Sequence, residues 1–267
     1  MKKGAIYRRL INQPMTRVQE RWHSRSQAKY SDDLSFSEAV ARFPIRNDLY
    51  NYFHHYYRHQ APKRIQKHRE YFKKSMRGFG EDAFHAMWFT LFRERTPSKC
   101  VEIGVYRGQV ISLWTLIAAL LGYDCDVSGI SPFSATGDAV STYAAMDYFA
   151  DTRASFDYFN LRQPHLVTAY SNDRVAIEYL NSKEWDLIYI DGGHDFDVVM
   201  SDYKNSVGAL RRGGILVMDD SSLITDYVPP LFSSAGHPGP SRVVAEHAMK
   251  QLHFLGAVGH NSVFLKP

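Results

Sequence analysis

Residues 186–195 read Asp-Leu-Ile-Tyr-Ile-Asp-Gly-Gly-His-Asp, and residues 213–220 read Gly-Gly-Ile-Leu-Val-Met-Asp-Asp. Each stretch contains an apolar run that is typical of a buried parallel strand, and each run ends in a carboxylate. Adjacent parallel strands lie about 4.8 Å apart, and their carboxyl ends meet at one edge of the sheet. The sequence therefore predicts that these terminal carboxylates lie together at this edge, beside His194.

The chain around these two stretches alternates short β-rich runs with amphipathic segments of helical length, from about residue 98 onward. This alternation is typical of an α/β protein with a doubly wound, mostly parallel sheet. A helix over 242–252 and an antiparallel hairpin of two short strands, 254–258 and 262–265, are expected to complete a seven-stranded sheet. The expected parallel strands lie near residues 99–104, 125–130, 165–169, 186–191 and 214–218.

The first 95 residues lack this alternation and are predicted to form a helical appendage, whereas residues 96–267 are predicted to form the main domain. The appendage is basic, with 20 Lys/Arg against 9 Asp/Glu, and the remainder has 12 against 19. A loop rich in Pro, Gly and Ser spans residues 221–241, and loops of this length are usually functional or disordered. We expect the appendage and this loop to form a substrate pocket and its lid, or contacts within a homo-oligomer.

Composition excludes several classes of protein. The 267 residues are 45% hydrophobic, which suffices for a full globular core. The longest apolar stretch, residues 110–121, is too short to cross a bilayer, so we expect no transmembrane segment and leave peripheral membrane contact open. Only Cys100 and Cys125 occur, which excludes a metal–thiolate site and predicts reduced core cysteines in a cytoplasmic protein. Nucleic acid is not the expected partner, because the sequence contains no RNA-binding motif.

A glycine-rich turn follows the first predicted strand, in the segment Glu102-Ile-Gly104-Val-Tyr106-Arg-Gly108. Such a turn between a strand and a helix lets a ligand approach the backbone and the positive end of the helix. Tyr106 departs from the dinucleotide pattern G-x-G-x-x-G, so hydride transfer loses its main support. A tight turn whose glycines serve only packing is the alternative.

The pattern Glu102-x-Gly104-x-x-x-Gly108 resembles the first motif of class I S-adenosylmethionine-dependent methyltransferases. The two stretches 190–194 and 213–220 are similar to a subgroup of metal-dependent O-methyltransferases, which includes the sugar methyltransferases of macrolide antibiotic biosynthesis. The resemblance covers roughly residues 98–266. It implies a Rossmann-like methyltransferase fold and S-adenosylmethionine as the cofactor.

The resemblance also implies that Asp191, Asp219 and Asp220, here called the acidic rim, bind a divalent cation, and that His194 is the general base. Three carboxylates without a thiolate favour a hard ion such as Mg²⁺, although another divalent cation stays open. A neutral imidazole, with a reference pKa of about 6.5, accepts a proton at cytosolic pH. The alternative is structural, with the two consecutive aspartates capping a turn and His194 lying at the start of a helix.

Cofactor contacts implied by the resemblance come from the ends of four strands. Ser131 stands where the family commonly has an acidic residue that binds the ribose, and Asp138 in the following loop is a second candidate for that contact. Asp173 is alternatively an ordinary N-cap residue. The implied cofactor-binding residues are Glu102, Gly104, Tyr106, Gly108, Ser131, Ser171, Asn172, Asp173 and Asp191.

The predicted function is metal-dependent transfer of a methyl group from S-adenosylmethionine to a hydroxyl of a small, sugar-like or anionic acceptor. Two alternatives stay open. The acidic rim would also suit a metal-dependent hydrolase, and the basic appendage would suit a non-catalytic protein that binds an anionic polymer or a membrane surface. His54, His55 and His59 are interpreted as a surface or substrate-pocket feature rather than as a zinc site.

Overall fold

The computed structural model describes residue 18 and residues 27–74, 77–138 and 143–267. The part of the predicted helical appendage before residue 27 therefore lies outside the described residues, apart from residue 18. Among the described helices, none has the length and apolar character needed to span a bilayer.

Seven strands form one sheet: β1 (Lys99–Ile103), β2 (Asp126–Ser131), β3 (His165–Thr168), β4 (Trp185–Ile190), β5 (Leu210–Met218), β6 (His253–Val258) and β7 (Asn261–Leu265). Their order in space is β3-β2-β1-β4-β5-β7-β6. Strands β1 to β5 pair in parallel, and β7 pairs antiparallel with β5 and β6. The predicted α/β fold, with its mostly parallel sheet and C-terminal hairpin, is thus confirmed.

Helices cover both faces of this sheet. The chain before β1 contains a 3₁₀ turn (Ala28–Tyr30), α1 (Phe36–Arg42), α2 (Arg46–His59), α3 (Lys63–Lys74) and α4 (Asp82–Arg95). Later in the chain lie α5 (Gln109–Leu121), α6 (Tyr148–Tyr158), α7 (Arg174–Leu180), α8 (Phe196–Ala209) and α9 (Pro238–Val243). A π-helical turn (Val244–Ala248) and a last short turn (Met249–Gln251) extend α9.

Two hydrophobic cores form because the side chains of each strand alternate between the two faces. In β4, Leu187 belongs to the core that includes the N-terminal helices, and Ile188 belongs to the core beside α8. The Trp88 ring of α4 lies 5.1 Å from the Trp114 ring of α5 and 5.2 Å from the Tyr189 ring of β4. The N-terminal helices therefore share a core with the sheet, and the domain boundary at residue 95 stays a prediction.

Two predicted boundaries differ from the structure by more than one residue. The last helix was expected to begin at residue 242 but begins at Pro238, because proline fits the first turn of a helix, where its missing N–H is not needed. The fifth strand was expected from residue 214 but begins at Leu210, which is buried and pairs with Trp185. Gly213, with φ +70°, lies within this strand.

A buried polar contact joins α3, α4 and α5. His68 Nε2 lies 2.9 Å from Ser112 Oγ, and His68 Nδ1 lies 3.3 Å from His85 Nε2. Burial lowers the pKa of His68 well below its usual value, and burial together with the charge of Arg69 lowers the pKa of His85 to about 3. We call His68 and His85 the helical histidine pair; both rings are neutral at physiological pH.

Candidate functional site

The acidic rim lies at the carboxyl ends of β4 and β5, which are neighbours in the sheet. Ile190 and Met218 are paired residues in the register, and each is followed by an aspartate. The Asp219 N–H donates to Ile190 O at 3.0 Å, and the Asp191 N–H donates to Ile103 O at 2.8 Å. The backbone pairing therefore continues one residue beyond the strands and carries the aspartates to the same edge.

The carboxyls of Asp191 and Asp219 interact with each other, and this interaction shifts their pKa values in opposite directions. Burial, together with the nearby charge of Asp219, raises the pKa of Asp191 well above its usual value. Burial also opposes ionisation of Asp219, but the imidazole of His260 outweighs this effect and lowers the pKa of Asp219. Asp191 is thus the protonated partner, as expected where two carboxyls crowd at a low-dielectric site.

Asp220 has the left-handed backbone conformation, with φ +51°. Its carbonyl accepts a hydrogen bond from the His237 N–H at 2.8 Å, and a Cβ on Gly236 would lie 2.1 Å from that carbonyl oxygen. Asp220 Oδ2 lies 2.9 Å from His194 Nε2, whereas Asp220 Oδ1 lies 3.3 Å from His260 Nδ1. Such strain is often found at functional sites, and here the strained residue directs its two oxygens to different histidines.

His194 lies between two carboxylates. Its Nδ1 is 2.5 Å from Asp138 Oδ2, and the same oxygen accepts the His194 backbone N–H at 2.8 Å. Although burial lowers the pKa of His194, the hydrogen bond and charge of Asp220, with those of Asp138, raise it to about 9. Asp138, which the sequence offered as a second ribose ligand, is instead a partner of the predicted base.

His260 and His237 are site residues that the sequence reasoning missed. His260 lies in the turn between β6 and β7 and is 8% exposed, with Nδ1 2.9 Å from Asp219 Oδ1. Its Nε2 lies 3.8 Å from Glu81 Oε1, and the other oxygen of Glu81 accepts the Tyr50 hydroxyl at 2.6 Å. Since β7 runs antiparallel to β5, the predicted hairpin was the one available signal that this turn lies near the acidic rim.

Two groups of candidate metal ligands arise from these contacts among the described residues. One group contains Asp219, Asp220 and His260, and the other contains His194, Asp220 and His237. Each group has its ligand atoms within 4.8 Å of one another. Asp219 Oδ1 and Glu102 Oε2 are buried without a hydrogen-bond partner in the described part of the chain. Hard oxygen donors in this arrangement fit a divalent cation.

The glycine-rich turn lies next to the acidic rim. Gly104 has φ +101°, and a Cβ at this position would lie 2.0 Å from Asp191 O. Gly108, with φ +77°, is the N-cap of α5, and a Cβ there would lie 2.7 Å from a methyl group of Thr152. The turn therefore brings the N-terminus of α5 and the end of β4 close together, where glycine is required.

Residues 101–221, which include the glycine-rich turn and the acidic rim, match a protein family described as a methyltransferase domain. We refer to residues 101–221 as the methyltransferase domain, after the family that they match. The predicted class, an S-adenosylmethionine-dependent methyltransferase of class I, is confirmed. Among curated proteins, none matches the sequence significantly.

Solved structures with the same fold are distant in sequence. A putative caffeoyl-CoA O-methyltransferase from Staphylococcus aureus has 15% identity and a TM-score of 0.57, over 82% of this chain and 99% of the other. The SAH-bound methyltransferase PaMTH1 of Podospora anserina has 15% identity and a TM-score of 0.54, over 77% and 88%. An O-methyltransferase from Bacillus cereus in complex with SAH has 12% identity and a TM-score of 0.51, over 78% and 93%.

Within the methyltransferase domain, the other predicted cofactor residues occupy the expected edge of the sheet. Burial and the charge of Asp219 raise the pKa of Glu102 well above its usual value, and the nearby Ile111 backbone opposes this shift. The Tyr106 ring lies among three other aromatic rings, with centroids 5.0 to 5.4 Å away. Ser131 is buried, and its hydroxyl donates to Val105 O at 2.8 Å.

The loop after β3 carries the remaining predicted cofactor residues of the methyltransferase domain. Ser171 lies near Asp202 of α8 and lowers its pKa, although burial raises that pKa to about 6, and Asn172 is exposed. Asp173 is the N-cap of α7, but its carboxylate accepts the Tyr170 N–H at 2.9 Å instead of capping the helix. The positions agree with the expected cofactor edge, and the contacts to a cofactor stay predictions.

The histidine run in α2 has a different environment from the one expected. His54 and His55 are only 1% and 2% exposed, so neither is a surface residue, and the substrate-pocket interpretation stays a prediction. They are covered because α2 packs against α4 and β6, and His55 Nε2 accepts the Gln27 N–H at 3.3 Å. His59 is exposed, as expected.

Proposed function

We propose that this methyltransferase transfers the methyl group of S-adenosylmethionine to a hydroxyl of a small acceptor, with a divalent cation bound at the acidic rim. The observation that carries the proposal is the convergence of Asp191, Asp219 and Asp220 with His194, at the sheet edge that also holds the glycine-rich turn. Two distant structures of the same fold contain SAH, the product of methyl transfer from this cofactor.

The proposed reaction leaves the cofactor as a thioether. The bond from the sulfonium sulfur to the methyl carbon breaks as the acceptor oxygen forms its bond to that carbon, and the acceptor hydroxyl gives its proton to His194 Nε2. A bound divalent cation would make that hydroxyl more acidic and would offset the charge of Asp220, which favours the neutral form of His194. Alignment of the two reactants in a closed site provides much of the acceleration.

Asp138 orients the proposed base. With its carboxylate on His194 Nδ1 at 2.5 Å, Asp138 favours a proton on Nδ1, so Nε2 is the nitrogen that takes up and releases the other proton. The backbone contact from His194 N to the same oxygen fixes the ring relative to the main chain. Asp138 is therefore a positioning residue in the proposed mechanism.

The acceptor pocket in this proposal lies between the N-terminal helices and the loop after Asp220. The Arg46 guanidinium donates to Ser222 Oγ at 2.6 Å. Asn47 accepts the Val228 N–H at 3.0 Å, so α2 and the loop are in direct contact. These contacts support the predicted lid. The basic charge of the N-terminal part supports a sugar-like or anionic acceptor, and the buried cysteine supports the predicted cytoplasmic location.

A methyl-transfer assay tests the proposal. The protein is incubated with S-adenosylmethionine and a panel of sugars, uronic acids, sugar phosphates and catechols, and S-adenosylhomocysteine is measured by chromatography. We expect product that disappears after chelation and returns when a divalent cation is added. Full activity after exhaustive chelation would remove the cation from the proposal, and near-normal turnover by His194→Ala would remove the base.

A further inference from the structure

We propose that His260 is a further protein ligand of the cation, beside Asp219 and Asp220 of the acidic rim, and that this imidazole makes the site prefer Mn²⁺ to Mg²⁺. The inference rests on the proposed function, because it concerns the ion at the same acidic rim. It adds a nitrogen donor to a set that was expected to contain carboxylates alone.

The positions of three atoms carry the inference. His260 Nδ1 lies 2.9 Å from Asp219 Oδ1 and 3.3 Å from Asp220 Oδ1. Adjacent ligands of an octahedral ion with bonds of about 2.1 Å are separated by about 3 Å. His260 Nδ1 can therefore occupy a coordination position next to that of either aspartate oxygen, and the ligand atoms of all three residues lie within 4.8 Å of one another.

Burial supplies an independent argument for a ligand at this position. His260 is only 8% exposed, and its Nδ1 points into the acidic rim. Nδ1 and Asp219 Oδ1 form an ion pair at 2.9 Å, and neither atom has a further hydrogen-bond partner among the residues described. A cation bound by both atoms would take the place of the imidazole proton in this buried pair.

The His260 ring is held in place from the side opposite to the rim. Its Nε2 faces Glu81 Oε1 at 3.8 Å, and the Phe84 ring packs edge-on against it with centroids 4.8 Å apart. Its carbonyl accepts the Ser221 N–H at 2.9 Å. A carboxylate behind a histidine is the arrangement that commonly orients metal-binding imidazoles.

The donor set decides the preference between ions. Mg²⁺ binds mainly oxygen ligands and keeps much of its water, whereas imidazole nitrogen is a better ligand for transition-metal ions. An imidazole added to the carboxylates of the acidic rim therefore favours Mn²⁺ over Mg²⁺. We expect this preference in the protein alone, before any cofactor or acceptor is added.

Calorimetric titration of the full chain with MnCl₂ and with MgCl₂ tests the inference. We compare the wild-type protein, His260→Gln, and the matched control His253→Gln, whose histidine is exposed on β6. The wild type and the control should bind Mn²⁺ at least about tenfold more tightly than Mg²⁺, and His260→Gln should lose at least about tenfold in Mn²⁺ affinity with little change for Mg²⁺. Unchanged Mn²⁺ affinity in His260→Gln would overturn the inference.

Pulsed electron paramagnetic resonance of the Mn²⁺-loaded protein gives a second test that does not depend on folding of the His260 variant. We expect nitrogen modulation from a coordinated imidazole in the wild type and also in His194→Gln. Bound Mn²⁺ without nitrogen modulation would overturn the role of His260 alone. A wild-type protein that binds neither ion would instead contradict the cation in the proposed function, so the two failures are distinguishable.

Discussion

The histidines at the acidic rim and the helical histidine pair are both largely buried, yet their charges differ. Burial lowers the pKa of His194 and of His260, but carboxylates beside both rings reverse the effect and raise the pKa values. In the helical pair no such reversal occurs, and burial lowers the pKa of both rings. The difference teaches that the neighbours of a buried histidine, and not its depth, decide whether it carries charge.

The largest expected effect comes from a substitution at the acidic rim. Asp219→Asn removes a charge that both Asp191 and His260 contact, so we expect cation affinity and methyl transfer to fall by at least about 100-fold. Asp195→Asn, at an exposed position beside the rim, is the matched control and should retain both. Calorimetry and the methyl-transfer assay measure the two quantities, and an Asp219→Asn protein with wild-type affinity contradicts the rim assignment.

Substitution of Gly104 tests whether the backbone of the glycine-rich turn must lie in close contact with the acidic rim. Gly104→Ala places a methyl group 2.0 Å from Asp191 O at φ +101°, so we expect the free energy of unfolding to fall by about 3 kcal/mol or more. Gly122→Ala is the matched control because Gly122 also has a positive φ, +78°, but its Cβ would meet nothing within 4 Å. It should cost only about 1 kcal/mol in urea unfolding. Equal losses in both variants would show that the contact with Asp191 is unimportant.

The stability of the protein at acid pH tests the role of the helical histidine pair. Unfolded histidine takes up a proton near pH 6.5, whereas folded His85 does so only at about 3, so the unfolded state binds more protons between these values. Above about pH 6.5 these histidines leave the free energy of unfolding at its full value. Below that pH, each buried histidine lowers the free energy of unfolding by up to about 1.4 kcal/mol per pH unit. Urea unfolding between pH 7.5 and 5 should show this slope.

His85→Gln should reduce that slope by the share of one histidine, and His253→Gln should leave it unchanged. If both variants have the wild-type slope, the helical pair does not control acid stability.

The smallest expected effect concerns Ser131, at the end of β2. Ser131→Ala removes the hydrogen bond to Val105 O, so we expect the free energy of unfolding to fall by about 1 kcal/mol. Because this hydroxyl already donates to the main chain, we expect S-adenosylmethionine affinity to fall by less than about tenfold, as measured by calorimetry. A larger loss of affinity would show that Ser131 is a major ribose ligand.

The fold and the positions of Asp191 and Asp219 could be predicted because they depend on local patterns in the sequence. Asp191 and Asp219 end apolar runs, and parallel pairing of those runs is enough to bring their carboxylates together. His260 and Asp138 could not be predicted as partners of the rim. Each comes from a connection between strands, and its position depends on how distant segments pack. The same reason applies to His54 and His55, which are covered by elements far away in the sequence.

Anomalous diffraction from crystals grown with Mn²⁺ and S-adenosylhomocysteine tests the central claim most directly. The account predicts one strong peak per chain at the acidic rim, within bonding distance of the Asp219 and Asp220 carboxylates and beside His194. Well-diffracting crystals in which the rim shows no anomalous peak, or in which Mn²⁺ binds only at other carboxylates, would contradict it.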